Sequence, residues 1–213
     1  MPLKPLKSLG NRTQAGRLTI EVGSFMADNH PQIKHSIGQV IILNGTSSAG
    51  KSTIAQALRD AMTEPFCYFA SDQLADAGFR ARREFCDKGP CERDRFFDGF
   101  HRSIAAFATA GNHLIVEHIV EEPRWQTDLL KYLSGIDTFW VGVHASVQEL
   151  KRRERARGNR AIGEALFHLK THDYCRYDIE IDSTDPLGEN VNRIVVAWRK
   201  RTERVGSPRC DPS

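Results

Sequence analysis

Gly45-Thr46-Ser47-Ser48-Ala49-Gly50-Lys51-Ser52 brings two glycines, an ammonium and an alcohol into the spacing GxxxxGK[ST]. The chemistry open to such a set is anion binding. The glycines let the backbone turn tightly and point successive amides at phosphate oxygens. A helix starting near Lys51 adds a partial charge of roughly +0.5 at its first turn. Lys51 is expected to reach the β- and γ-phosphates of ATP or another nucleoside triphosphate. Ser52 is expected to ligate Mg²⁺, and Thr53 to touch the α-phosphate. A glycine turn that merely joins strand to helix is the bland alternative. Strand, motif and helix stand in register here, which argues against it.

A phosphate cradle implies a nucleotide but not a reaction. In open parallel sheets ligands gather at the carboxyl ends of the strands. Asp72 falls just after a short apolar run, where a carboxylate can take a proton from an attacking hydroxyl. Position alone leaves that role and simple capping of the next helix by Ser71 or Asp72 equally open. Glu117 ends a later apolar run, the place of an acid that supports Mg²⁺, and Glu121 and Glu122 could substitute. An ordinary strand-end carboxylate is the alternative for Glu117.

Arg152, Arg153, Arg155, Arg157 and Arg160 form the densest charge run. A solvated helix face is the usual reading of such a run. This one ends in Arg157-Gly158-Asn159-Arg160, so a glycine can hinge it as a lid over the nucleotide. Arg157 and Arg160 are expected to offset charge on the moving phosphoryl group, with Arg153 next. His168, His172 and Cys175 have spacings open to zinc, but no fourth ligand is evident nearby, so no metal site is expected there.

The elements that must position these groups are legible as alternating strands and helices. Val40–Leu43 is a continuous apolar run ending in Asn44-Gly45, the pattern of a strand buried on both faces. Helix follows over 52–62, with Ile54, Ala57, Leu58 and Ala61 on one face. Further strands are expected at Phe66–Phe69, Leu114–Ile119, Thr138–Val143 and Tyr177–Ile181. Helices are expected from Ser71, over 94–110, Pro123–Leu133, Val147–Arg157, 161–173 and Leu187–Arg201. Phe96, Phe97, Phe100, Ile104 and Phe107 form a helical stripe that reads as core. Such alternation predicts an α/β fold, a parallel sheet covered on both faces.

Across 213 residues there is room for one sizeable core. The chain holds 30 basic and 27 acidic residues, a net charge of +3. Residues 1–37 account for five of the basic and two of the acidic ones, leaving 25 of each for the rest. The excess belongs to a tail, and no nucleic-acid surface is expected. No apolar run is long enough to span a bilayer. Five cysteines, Cys67, Cys86, Cys91, Cys175 and Cys210, with no secretory signal ahead of them, fit free thiols in the cytoplasm. Residues 1–37 read as a poorly ordered basic extension, 38–204 as the folded domain with its lid at about 152–173, and 205–213 as a tail. Translation from Met1 or from Met26 is equally compatible with this pattern, and an acid-free start is shared with transit peptides.

Ile41–Ser52, Phe69-Ala-Ser-Asp72-Gln-Leu74, Phe139–Val143 and Arg153–Arg160 together resemble segments of chloramphenicol phosphotransferase. His172 and Tyr177–Thr184 continue the resemblance, which spans about 40–184. It implies a P-loop NTPase three-layer sandwich with a five-stranded parallel sheet, helices on both faces and a helical lid. It also implies an ATP- and Mg²⁺-dependent kinase acting on a small molecule's hydroxyl, with Asp72 as the base. Two departures stand out. The acidic pair that the family carries at the end of the third strand is here Glu117-His118. The acceptor-side stretch 76–102 is rich in charge, including Arg80, Arg82, Arg83 and Arg93, and such a wall suits a polar or charged acceptor. A nucleoside or nucleotide kinase on the same scaffold is the nearest rival, and a nucleotide-dependent switch the next. Oligomeric state has no signature in the sequence.

Overall fold

A computed structural model describes residues 36–79, 92–157 and 163–202. Residues 1–35 of the expected extension, the charged stretch 80–91, Arg160 and the carboxyl-terminal tail lie outside those residues.

The sheet has five parallel strands in the order β2-β3-β1-β4-β5. β1 spans Val40–Asn44, β2 Phe66–Ala70, β3 His113–His118, β4 Thr138–His144 and β5 Ile179–Asp182. The central position of β1 follows from its composition. Val40, Ile41, Ile42 and Leu43 are all fully buried, which only a strand covered on both faces allows. Their side chains alternate between two cores. Ile41 and Leu43 join Ile54, Leu58, Val141, Ile194 and Trp198 on one face. Val40 and Ile42 join Phe100, Ile104, Trp125, Leu129 and Trp140 on the other. Each fully buried aliphatic side chain contributes roughly 1.5–3 kcal/mol, so this strand anchors both layers.

The first core is roofed by α1 (Lys51–Ala61) and α8 (Leu187–Thr202), the second by α3 (Glu92–Thr109) and α4 (Pro123–Tyr132). Between β2 and α3 the chain makes the short α2 (Ser71–Leu74) and a wider turn over Ala75–Phe79. After β4 come α5 (Val147–Arg157), α6 (Glu164–Phe167), a tight 3₁₀ turn at His168–Lys170 and α7 (Thr171–Tyr174). No helix among the described residues is long and apolar enough to cross a membrane.

Three local expectations are corrected. The helix expected over 161–173 starts only at Glu164, because Gly163 sits at φ 99° in the left-handed region that an α-helix excludes. β5 begins at Ile179 rather than Tyr177, whose ring instead seats on Gly142, where even a Cβ would come within 2.6 Å of it. In the aromatic stripe of α3, Phe100 and Ile104 are core, but Phe107 is half exposed and Phe97 lines a cavity.

Candidate active site

The phosphate loop joins β1 to α1 at the carboxyl end of the sheet. Its two glycines serve different needs. Gly50 has φ 93° and is the N-cap of α1, a left-handed turn that side chains resist. Gly45 is set by close approach, since a Cβ there would lie 2.4 Å from the Val143 carbonyl oxygen of β4. The conformational reason expected for Gly45 is thus replaced by a packing one. Ser48 also takes positive φ, 62°, so the loop bends at two positions, Ser48 and Gly50. Thr46, Ser47, Ser48 and Ala49 are all buried.

Lys51 is buried, and its Nζ donates to the carbonyls of Gly45 at 3.0 Å and Thr46 at 2.9 Å. The same ammonium lies 3.9 Å from Glu117 Oε1. Ser52 Oγ donates to Glu117 Oε1 at 3.0 Å, and the Tyr68 hydroxyl donates to Oε2. One carboxylate therefore gathers the loop lysine, the loop serine and a tyrosine of the neighbouring strand. Register explains the meeting: β2 pairs with β3 so that Ala70 stands opposite Glu117, and Tyr68 shares its face. Burial and the Glu117 carboxylate push the Tyr68 phenol up, so it stays a donor at neutral pH.

Asp72 lies in the first turn of α2 and lines the same cavity as Lys51, Ser52 and Glu117, a space of about 440 Å³. The capping alternative does not hold. Ala70 is the N-cap of α2, and no side chain caps it. Across the cavity stand Arg93, Phe97, Glu121 and His168. Arg93 lies over the rings of Phe97 at 5.0 Å and Trp125 at 4.8 Å, and pairs with Glu121. Burial raises the Glu121 carboxyl, but His168 and Arg93 outweigh it and hold the group below its ordinary range. Glu121 is thus engaged by Arg93 and His168.

Below this wall, His118 packs against Phe97, Phe100 and Trp125, with its Nε2 2.9 Å from His101 Nε2. Burial drives both imidazoles down, His101 to about 4. The residue standing where the family carries a second acid is therefore a neutral, buried ring.

The arginine run divides. Arg153 ties α5 to the phosphate loop and to the segment after β5. Its guanidinium donates to Ala49 O at 3.2 Å, Ser183 Oγ at 2.8 Å and Glu149 Oε1 at 2.6 Å. Arg152 pairs with Glu149 on the surface. Arg157 ends α5, and Arg160 falls outside the described residues. On the side of the loop away from Asp72, Thr53, Arg153, Ser183 and Asn190 line a second cavity of about 460 Å³. The two cavities share Ser48 and Gly50. His168 and His172 are committed elsewhere: His168 lies 3.4 Å from Glu121, and His172 Nδ1 lies 2.8 Å from the Tyr177 hydroxyl.

Sequence reasoning missed Tyr68 and the buried Glu154 of α5. Tyr68 had a faint signal, since alternation along β2 puts it on the face of Ala70. Glu154 had none, because it sits inside a charged run whose ordinary fate is solvent.

Comparison with known proteins agrees with this geometry. Residues 38–199 match the family model described as "Chloramphenicol phosphotransferase-like protein". A Mycobacterium tuberculosis relative named "Putative O-phosphotransferase Rv2636" is 30% identical over 171 residues, covering 69% of this chain and 76% of its own. Among solved structures, the M. tuberculosis APS kinase CysC in complex with AMPPNP and APS superposes with a TM-score of 0.57 at 18% identity, covering 76% of this chain and 98% of its own. A gluconokinase from Sinorhizobium meliloti gives a TM-score of 0.56 at 16% identity, covering 81% and 97%. At such identities the superpositions speak for the P-loop kinase fold alone. The family match, which covers most of the chain, decides the rest: this chain belongs to the chloramphenicol phosphotransferase-like family and is a kinase-type phosphotransferase acting on a hydroxyl.

Proposed function

We propose that the chain moves the γ-phosphoryl group of ATP to a hydroxyl of a small polar molecule, with Mg²⁺ as cofactor. The observation that carries this reading is that Asp72 lines one cavity together with Lys51, Ser52 and Glu117. In this scheme Lys51 and the loop from Gly45 to Ser52, including Thr46, Ser47, Ser48 and Ala49, hold the phosphates. Thr53 and Arg153 flank the nucleoside side, which the second cavity supports. Asp72 takes the proton from the acceptor hydroxyl. The acceptor's hydroxyl oxygen bonds to the γ-phosphorus as the bond to the β–γ bridging oxygen breaks, releasing ADP. Arg157 and Arg160 are the lid arginines that offset charge on the phosphoryl group.

The residues fit Mg²⁺. Ser52 Oγ and Glu117 Oε1 are hard oxygen donors 3.0 Å apart, the donor type this ion selects. When bound, the ion neutralises charge on the β- and γ-phosphates.

The wall formed by Arg93, Asp76 and Glu121 supports a polar acceptor over an apolar aromatic one, because burying these charges against such a ring costs desolvation. Antibiotics with free hydroxyls belong to that class, as do sugars and nucleosides. We place the enzyme in the cytoplasm and its kinase domain at 38–204, between two tails.

Incubation with Mg·ATP and a panel of hydroxyl-bearing antibiotics, sugars and nucleosides, read by mass spectrometry, tests the reading. One acceptor class gains a single phosphoryl group. Asp72→Asn lowers that gain by roughly 10²–10⁴ while ATP still binds. Full transfer by Asp72→Asn would remove the base assignment, and a phosphorylated nucleoside would move the enzyme to the nucleoside kinases.

A further inference from the structure

Glu154 is a carboxylate 3% exposed in a helix whose Lys151, Arg152 and Arg155 face solvent. Its Oε2 accepts from the backbone N–H of Gly163 at 2.8 Å, and its Oε1 from that of Ala165 at 3.0 Å. These two amides hold the carboxyl below its ordinary range. Desolvating a carboxylate is costly unless its lone pairs are used, and both oxygens are used here. Gly163 is the N-cap of α6 and has no side chain to cap it, so Glu154 supplies that function from α5.

Ala165 has a second partner through its carbonyl, which accepts from Thr46 Oγ1, inside the phosphate loop. Thr46 and Ala165 are each 1% exposed, so the bond is sealed from water. A continuous path therefore runs from the Glu154 carboxylate through the N–H and C=O of one residue to the loop. The adjacent residue, Arg153, grips the other side of that loop at Ala49 O, 3.2 Å away.

We infer that Glu154 is a positioning residue for the phosphate loop, acting through the backbone of Ala165 on Thr46. The inference rests on the loop's binding a nucleoside triphosphate, as proposed above. A carboxylate is required because both amides must be accepted at once. Gln at this position offers one oxygen and turns an N–H₂ toward the second amide. Ala165 then loses its tether, and Thr46 loses a fixed acceptor.

A double-mutant cycle separates positioning from simple helix capping. Glu154→Gln, Thr46→Val and the double variant are titrated with Mg·ATP by calorimetry, beside thermal unfolding of each. Each single variant weakens binding by about fivefold or more, and the double variant is no weaker than the worse single one. Fold-losses that multiply, or a Glu154→Gln variant that binds like the parent protein, would overturn the inference while leaving the nucleotide reading intact. A parent protein that fails to bind would instead sink both. Should Glu154→Gln unfold, amide exchange of Ala165 in Thr46→Val decides the matter. Exchange quickens if Thr46 and Ala165 support one another, and unchanged exchange removes the coupling.

Discussion

Ser52 and Glu117 lie 65 positions apart in the chain, yet the serine hydroxyl donates to the glutamate carboxylate at 3.0 Å. One closes the phosphate loop and the other is the penultimate residue of β3, the strand hydrogen-bonded beside β1. Neither side chain could find the other unless β3 stood next to β1 in this register. The contact therefore reports the topology as well as the chemistry.

Glu117→Gln keeps an oxygen for Ser52 but removes the negative charge. The Mg²⁺ concentration giving half-maximal phosphotransfer rises by about 10- to 100-fold, and the shift persists at saturating ATP. Tyr68→Phe removes one hydrogen bond to the same carboxylate and gives a smaller rise in the same direction. Magnesium titrations of both variants check the order, and an equal or larger effect of Tyr68→Phe would contradict it.

Gly45→Ala places a Cβ 2.4 Å from the Val143 carbonyl oxygen, a contact between two backbones that no side-chain rotation relieves. Spreading β1 from β4 costs about 1–3 kcal/mol, as in other overpacked cores. Denaturant midpoints fall accordingly, and nucleotide affinity falls with them. Gly99→Ala, where an added Cβ meets nothing within 4 Å, is the control that leaves the loop untouched.

The buried histidines set an acid limit. Burial pushes the His101 imidazole down to about 4 and the His118 imidazole well down, against about 6.5 in an unfolded chain. Between those values the unfolded chain binds more protons than the folded one, so stability falls as pH drops below about 6.5 and is level above it. Each such histidine contributes a slope of up to about 1.4 kcal/mol per pH unit. Urea midpoints at pH 7.5 and 5.0 show the loss before the depressed carboxylates begin to protonate. His101→Gln, which retains a polar group at the Nε2 position, has the shallower slope. An equal slope would show that the pair is not responsible.

Much of the scaffold was readable because its signals are local. Val40–Leu43 could only be a buried strand, and the loop after it carried its own spacing. Asp72 was readable as a position, though the backbone was needed to show that Ala70 is the N-cap of α2. What escaped depended on distance in sequence. Tyr68 meets Glu117 only through strand pairing, and Arg153 looked like a lid residue until Ser183 and Ala49 were seen beside it. Glu154 was invisible because periodicity in a helix with so many charges does not mark the one turned inward. A tight turn was the reason read for Gly45, whereas the structure shows crowding from a neighbouring strand, which leaves no trace in the residues that flank it.

The two hollows on either side of the phosphate loop both have Ser48 and Gly50 in their walls. Two reactants approaching from opposite flanks need not compete for entry, and neither must leave before the other arrives. A tethered molecule, with a nucleoside at one end and an alcohol at the other, would straddle that divide. With a phosphate bridge of matching length, it would gain the advantage of paired binding without a single new contact.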